Sequence, residues 1–198
     1  MVGVPTADIA TEIDRFVAVL EETKHQLSVG DRLKTAEALL CDAARKHAPI
    51  LICGNGGSAC DAEHITAELV GRFHSRRPPI NAICLSSNAA VVTAWANDVG
   101  YEAIFARQVR AHATEDSVLI CISTSGNSEN VVCAAVMARE LGIPVISLTG
   151  SSTGRLQDYS DVVLRVASHS TAMIQQGHQV IYHHLCAVIE EAVSSSST

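Results

Sequence analysis

Apolar positions along the chain follow two rhythms, one of helical period and one of short unbroken runs. From Ile9 to Leu27 they stand at Ile9, Ile13, Phe16, Val17, Val19, Leu20 and Leu27, the spacing of a helix with a broad apolar face. Asp31 to Lys46 repeats the pattern through Leu33, Ala36, Leu39, Leu40 and Ala43. Two helices thus precede the first strand. A helical pair this apolar, outside an α/β unit, is expected to pack on a partner subunit. Pro49 to Cys53 is an unbroken apolar run, the mark of a parallel strand covered on both faces. A glycine-rich turn and a helix opening follow it. Arg76-Arg77-Pro78-Pro79 breaks the pattern, and Ile80 to Leu85 reads as a second strand. Helices are expected over Ala89 to Asn97 and Tyr101 to His112, a third strand over Ser117 to Ile122, and a helix over Glu129 to Leu141 closed by Gly142. Ile143 to Leu148 and Asp161 to Val166 are the fourth and fifth strands. Thr171 to Val193 is a long last helix, apolar at Met173, Ile174, Gly177, Val180, Ile181, Leu185, Val188, Ile189 and Ala192. Strands alternating with helices predict a doubly wound α/β sheet, and no internal repeat or linker divides the chain.

Composition narrows the partners. Hydrophobic residues make up 47% but aromatics only 4%, so the core is aliphatic and alanine-rich. The net charge is −7 with no run of lysine or arginine, which argues against a nucleic-acid surface. Seven cysteines at 41, 53, 60, 84, 121, 133 and 186 form no C-x-x-C pair and read as reduced, buried thiols of a cytoplasmic protein. Met1 to Asp14 lacks the basic start and apolar stretch of a leader, and no apolar run approaches the ~20 residues of a membrane span. The tail from Ser194 to Thr198 is expected to fray.

The candidate chemistry lies at the ends of strands, where ligands bind in such folds. Gly54-Asn55-Gly56-Gly57-Ser58 makes a sharp turn into a helix whose free N–H groups suit a phosphate or a cluster of hydroxyls. Ser58 is expected to cap that helix, with Asp61 three residues later in a weak capping-box pattern. The loop also contains a fragment of the dinucleotide fingerprint. The second strand, however, ends Leu85-Ser86-Ser87-Asn88 without the carboxylate that holds a ribose, and no Lys-Ser/Thr follows the turn. No nucleotide cofactor is expected, and a plain structural turn is the alternative. The second loop, Ser123-Thr124-Ser125-Gly126-Asn127-Ser128, offers four hydroxyls and can bind a phosphate monoester without a cation; its alternative is an ordinary helix cap. His64, Glu68 and Arg72 form one column on a helix, where a surface Glu–Arg pair is the plainer reading. Gln175, Gln179 and His183 form another, with His184 adjacent. If the two helices meet, His64, Glu68 and His183 make a zinc site of nitrogen and oxygen ligands. Asn97-Asp98 is either an Asx turn or a pair of acceptors for a polyhydroxylated ligand.

These residues together are recognisable. The first loop with Asp61, His64 and Glu68, then Gly71-Arg72-Phe73, Asn97-Asp98, the serine loop, and Ile174-Gln175 with His183 closely resemble the phosphoheptose (sedoheptulose 7-phosphate) isomerase family of the sugar isomerase (SIS) superfamily. The resemblance implies a three-layer α/β fold around a five-stranded parallel sheet, with residues 1–198 as a single SIS domain. Residues 49–193 would be its core, and 1–48 helices used in oligomer packing. It implies a homotetramer with active sites between subunits, and conversion of sedoheptulose 7-phosphate to D-glycero-D-manno-heptose 7-phosphate for bacterial surface polysaccharides. It implies one zinc ion per subunit on His64, Glu68, Gln175 and His183. Substrate contacts would come from Asn55, Gly56, Gly57, Glu68, Asn97, Asp98, Ser123, Thr124, Ser125, Ser128 and Gln175; Ser58 and Arg72 join them from the loop and the column. Gln176 stands where several members place Glu, and Ala172 where some place Asp, so any role of those carboxylates is lost. Ketose–aldose isomerisation needs one base and one acid, for which Glu68 and His183 are the candidates. A zinc-bound Glu68 is a weaker base, so its two roles compete. The alternatives are a non-catalytic SIS protein that binds the replication initiator, another sugar-phosphate isomerase, and a sugar-responsive domain.

Overall fold

The computed structural model describes residues 8–195. Helices α1 (Ile9–Ser28) and α2 (Arg32–Arg45) lead into β1 (Ile50–Gly54), α3 (Gly57–Val70), β2 (Ala82–Cys84) and α4 (Ala89–Asp98). A 3-10 turn (Tyr101–Ala103) opens α5 (Ile104–His112). Then come β3 (Val118–Ile122), α6 (Glu129–Glu140), β4 (Val145–Thr149), a 3-10 turn (Gly154–Tyr159), β5 (Val162–Arg165) and α7 (Thr171–Ser194). The sheet has the order β2-β1-β3-β4-β5 and every pair is parallel. The reversal of order beside β1 places the ends of β1 and β3 at the switch point of the sheet, where such folds bind ligands.

Because side chains alternate along a strand, each unbroken apolar run feeds two cores. Ile50 and Ile52 of β1 and Ile120 and Ile122 of β3 pack with Leu40, Ile65, Leu69, Leu185 and Ile189, beneath α2, α3 and α7. Leu51, Cys53, Leu119 and Cys121 face the other way, onto Phe105, Val109, Val131 and Ala135 of α5 and α6. That is the predicted three-layer arrangement, with two added N-terminal helices.

The differences are local. Strand β2 is shorter than the apolar stretch from Ile80, because the Ile80 N–H bonds to the carbonyl of Leu69 and so belongs to the end of α3 instead of the sheet. The helix expected from Tyr101 begins as a 3-10 turn. Gly142 stops α6 with φ 74°, as expected of a C-terminal cap. The seven cysteines are free, but Cys60 is exposed and Cys133 half-buried, so two depart from the expectation of buried thiols. Among the described residues no helix is long and apolar enough to cross a membrane. The expectations about a leader and a frayed tail fall partly on residues 1–7 and 196–198, outside the described residues, while Ser194 itself closes α7.

Candidate active site

At the end of β1 the chain turns through Asn55 and Gly56 into α3. Gly56, not Ser58, occupies the capping position; Ser58 sits inside the first turn, only 4% exposed, with its N–H on the Asn55 carbonyl at 3.0 Å. Ser58 therefore offers a ligand little surface, and the capping-box reading of Ser58 and Asp61 fails. A Cβ at Gly57 would run into the side-chain amide of Gln175, which would have to move aside. That contact brings α7 over the first loop. Asn55 is pinned by two bonds with Asn130 of α6, at 2.8 and 2.9 Å, and accepts from the Tyr101 hydroxyl at 2.9 Å. Neither Asn130 nor Tyr101 was marked by sequence reasoning, although Asn130 stands just past the serine loop.

The serine loop closes on itself. Ser123 and Ser128 share a bond at 3.1 Å between their hydroxyls, and the Gly126 N–H reaches the Ser123 hydroxyl at 3.2 Å. Gly126 has φ 68° and lies against the Thr153 carbonyl, which leaves no room for a side chain. Ser128 is the first residue before α6 but makes no side-chain cap bond, so the ordinary-cap reading of this serine is not realised. The helix opening keeps N–H groups for another acceptor. Thr124 and Ser125 also line a cavity of about 240 Å³, shared with Ser168, His169 and Thr171.

Helices α3 and α7 do meet. Nε2 of His64 lies 3.2 Å from Glu68 Oε1 and 3.5 Å from His183 Nε2. One donor atom from each of the three residues lies within 4.8 Å of the others, a spacing that one cation can bridge. The side chains of His64 and Glu68 are 40% and 24% exposed, open enough for a ligand to reach. Glu68 pairs with His64 and Arg72 is exposed just beyond the helix end, so the column does not act as a Glu–Arg pair. Burial holds the His183 imidazole below its ordinary pKa, helped by the neighbouring His64 and opposed by Glu68. His183 is therefore neutral at pH 7. His184 turns away and pairs with Glu37 of α2 at 2.7 Å. Asn97 and Asp98 are exposed at the end of α4 and bonded to each other at 3.0 Å. Through Gly100 they lead directly to Tyr101 and thus to Asn55. Ala172 and Gln176 are both exposed on α7.

Behind this group stand Tyr182, which carried no sequence signal, and Asp61, which the sequence marked only as a weak capping partner and as part of the family resemblance. Tyr182 places its hydroxyl 3.0 Å from His64 Nδ1 and 3.5 Å from Asp61 Oδ1. Burial pushes the Asp61 carboxyl up to about 6, against the lowering effect of the Tyr182 hydroxyl and of His64.

A parallel sheet in this order, with hydroxyl-rich loops at its switch point, defines a SIS domain, and the SIS domain family model matches residues 13–150. That match ends before α7, which supplies Gln175 and His183. The phosphoheptose isomerase of Helicobacter pylori (strain P12) is 46% identical over 176 residues, spanning 88% of this chain and 92% of that protein. A phosphoheptose isomerase from Francisella tularensis superposes with a TM-score of 0.88 at 35% identity, over 96% of this chain and 100% of that one. The phosphoheptose isomerase GmhA of Neisseria gonorrhoeae gives 0.85 at 34% identity, over 92% and 97%. The chain belongs to the phosphoheptose isomerase family.

Proposed function

We propose that the chain is the ketose–aldose isomerase that converts sedoheptulose 7-phosphate to D-glycero-D-manno-heptose 7-phosphate, a step of bacterial heptose biosynthesis. The observation that carries this reading is the convergence of His64, Glu68 and His183 from two distant helices, with one donor atom of each within 4.8 Å of the others. The serine loop and the opening of α6 grip the phosphate, which fixes the far end of the sugar and so places C1 and C2. Glu68 takes the proton from C1 and returns it to C2, and the enediol forms between the two transfers. His183 serves the sugar oxygens as the acid, a role that, like that of Glu68, competes with metal ligation through the Nε2 that faces the group.

The donor set fits zinc: two imidazoles and a carboxylate, with the Gln175 amide held over the loop. His64, Glu68, Gln175 and His183 would hold one ion per subunit. An ion held there would supply Lewis-acid polarisation of the sugar oxygens, worth several kcal/mol. Glu68 then divides its lone pairs between two tasks, and Gln176 and Ala172 offer no carboxylate to relieve it.

The assembly is a homotetramer with sites between subunits. Its support is the outward face of α1, where Ile9, Ile13 and Val17 are at least half exposed at helical spacing. Seven free cysteines and a net charge of −7 fit a cytoplasmic enzyme without nucleic-acid partners. A non-catalytic partner of the replication initiator leaves the His64–Glu68–His183 convergence without a use. The test is incubation of the chain with sedoheptulose 7-phosphate in deuterium oxide, read by NMR. The expected result is an aldose carrying solvent deuterium at C2, because the shuttled proton exchanges on the base. Absence of any aldose product refutes the reading.

A further inference from the structure

Tyr182 is 1% exposed and stands edge-on to both imidazoles, its ring centroid 5.4 Å from His64 and 4.8 Å from His183. Phenylalanine would fill the same aliphatic space. The hydroxyl is thus the feature to explain, because a buried O–H is costly unless it is bonded. It is bonded on both sides, to His64 Nδ1 at 3.0 Å and to Asp61 Oδ1 at 3.5 Å. Asp61 lies one turn before His64 on α3, is 5% exposed, and its Oδ2 is buried with no partner. A carboxylate kept in an aliphatic layer with one oxygen unsatisfied is destabilising in itself.

The two nitrogens of His64 have separate tasks. Nε2 faces Glu68 and His183, so it is the nitrogen that can give a lone pair to a cation. The proton then belongs on Nδ1, and Nδ1–H needs an acceptor. A tyrosine hydroxyl has one proton to give and lone pairs to receive. The Tyr182 hydroxyl donates to Asp61 Oδ1 and so has a lone pair free to receive Nδ1–H of His64 in that tautomer.

We propose that Tyr182, backed by Asp61, is a positioning pair that holds His64 in its Nδ1–H tautomer and so sets the affinity of the His64–Glu68–His183 group for a divalent cation. The inference rests on the zinc reading of that group. Neither residue touches the sugar; both act through His64. Outer partners of metal-bound histidines typically change affinity 10- to 100-fold.

The test uses the full chain stripped of metal and titrated with zinc against a chromophoric chelator. Tyr182→Phe and Asp61→Asn are each expected to weaken zinc binding about 10- to 100-fold, and the double variant no more than the worse single one, since the relay is one unit. Nitrogen-edited NMR of the zinc-loaded wild type is expected to show a slowly exchanging His64 Nδ1–H proton that Tyr182→Phe loses, a signal that a packing defect would not remove. Asp61→Asn keeps the inference open to refutation if the tyrosine variant fails to fold. Retention of zinc affinity within about twofold by a folded variant of either kind overturns the pair while leaving the site reading intact. Failure of the wild type to bind zinc overturns both.

Discussion

His178 illustrates how far a single environment departs from what its residue type suggests. It is fully buried on α7, Nε2–H donates to the Thr149 carbonyl at 3.1 Å, and Nδ1 has no partner. Burial lowers its pKa from 6.5 to about 4, with the Thr149 bond opposing. Below pH 6.5 the unfolded chain takes up a proton that the native imidazole refuses, so this group costs the fold stability as pH falls towards 4. The loss approaches about 3 kcal/mol and vanishes above pH 6.5. Urea unfolding of the metal-free chain at pH 4.5 and pH 7 is expected to show a larger drop for wild type than for His178→Gln. Gly57 makes a second prediction. Gly57→Ala drives a methyl into the Gln175 amide and is expected to weaken zinc about tenfold in a chelator competition, with little change in melting temperature. At this scale the sequence is legible where spacing alone decides: His64 and Glu68 share a face because they are four apart. Tyr182 is not legible, because a tyrosine on an apolar helix face looks like core until its hydroxyl is seen to bridge Asp61 and His64.

Between elements, the segment after α3 is held by a buried ion pair. The Glu190 carboxylate of α7 accepts from the N–H groups of Phe73, His74 and Ser75 at 2.9, 2.7 and 2.7 Å. It also meets Arg77 Nε at 3.3 Å, both side chains nearly inaccessible. Arg77 in turn donates to the carbonyls of Leu69 and Glu68, the open end of α3. Burial alone would raise the Glu190 pKa, but the three amides and the guanidinium outweigh it and hold the carboxyl below its ordinary 4.5. Its stabilisation is therefore present above pH 4.5 and lost as pH falls through the lowered value. Glu190→Ala leaves the guanidinium buried and unpaired, and equilibrium denaturation is expected to show a loss of about 3–5 kcal/mol. Arg76-Arg77-Pro78-Pro79 announced only a break in the sequence, since nothing local says that one arginine is buried against a helix at the far end of the chain. The strands were readable within about two residues, because parallel strands covered on both faces are unbroken apolar runs. Ile80 is apolar yet lies outside the strand for a physical reason: its N–H is taken by the carbonyl of Leu69 at the end of α3.

For the whole molecule, the order of elements and the two-faced core follow from the alternation of patterns. The convergence of α3 and α7 does not, because it depends on a crossover that no local signal encodes. The exposed face of α1 bears on assembly. Ile13→Asp with Val17→Asp is expected to lower the mass of the proposed assembly in light scattering, and to lower turnover with it; an unchanged mass would remove α1 from the interface. The central claim is that a carboxylate and an imidazole from two helices act on one sugar phosphate with a metal ion between them. Turnover of sedoheptulose 7-phosphate should be measured for the wild type, Glu68→Gln and His183→Gln, before and after chelation. The account predicts losses of at least about 100-fold in both variants, and a chelated wild type that zinc restores. Undiminished turnover in both variants, or full activity after complete removal of metal, contradicts it.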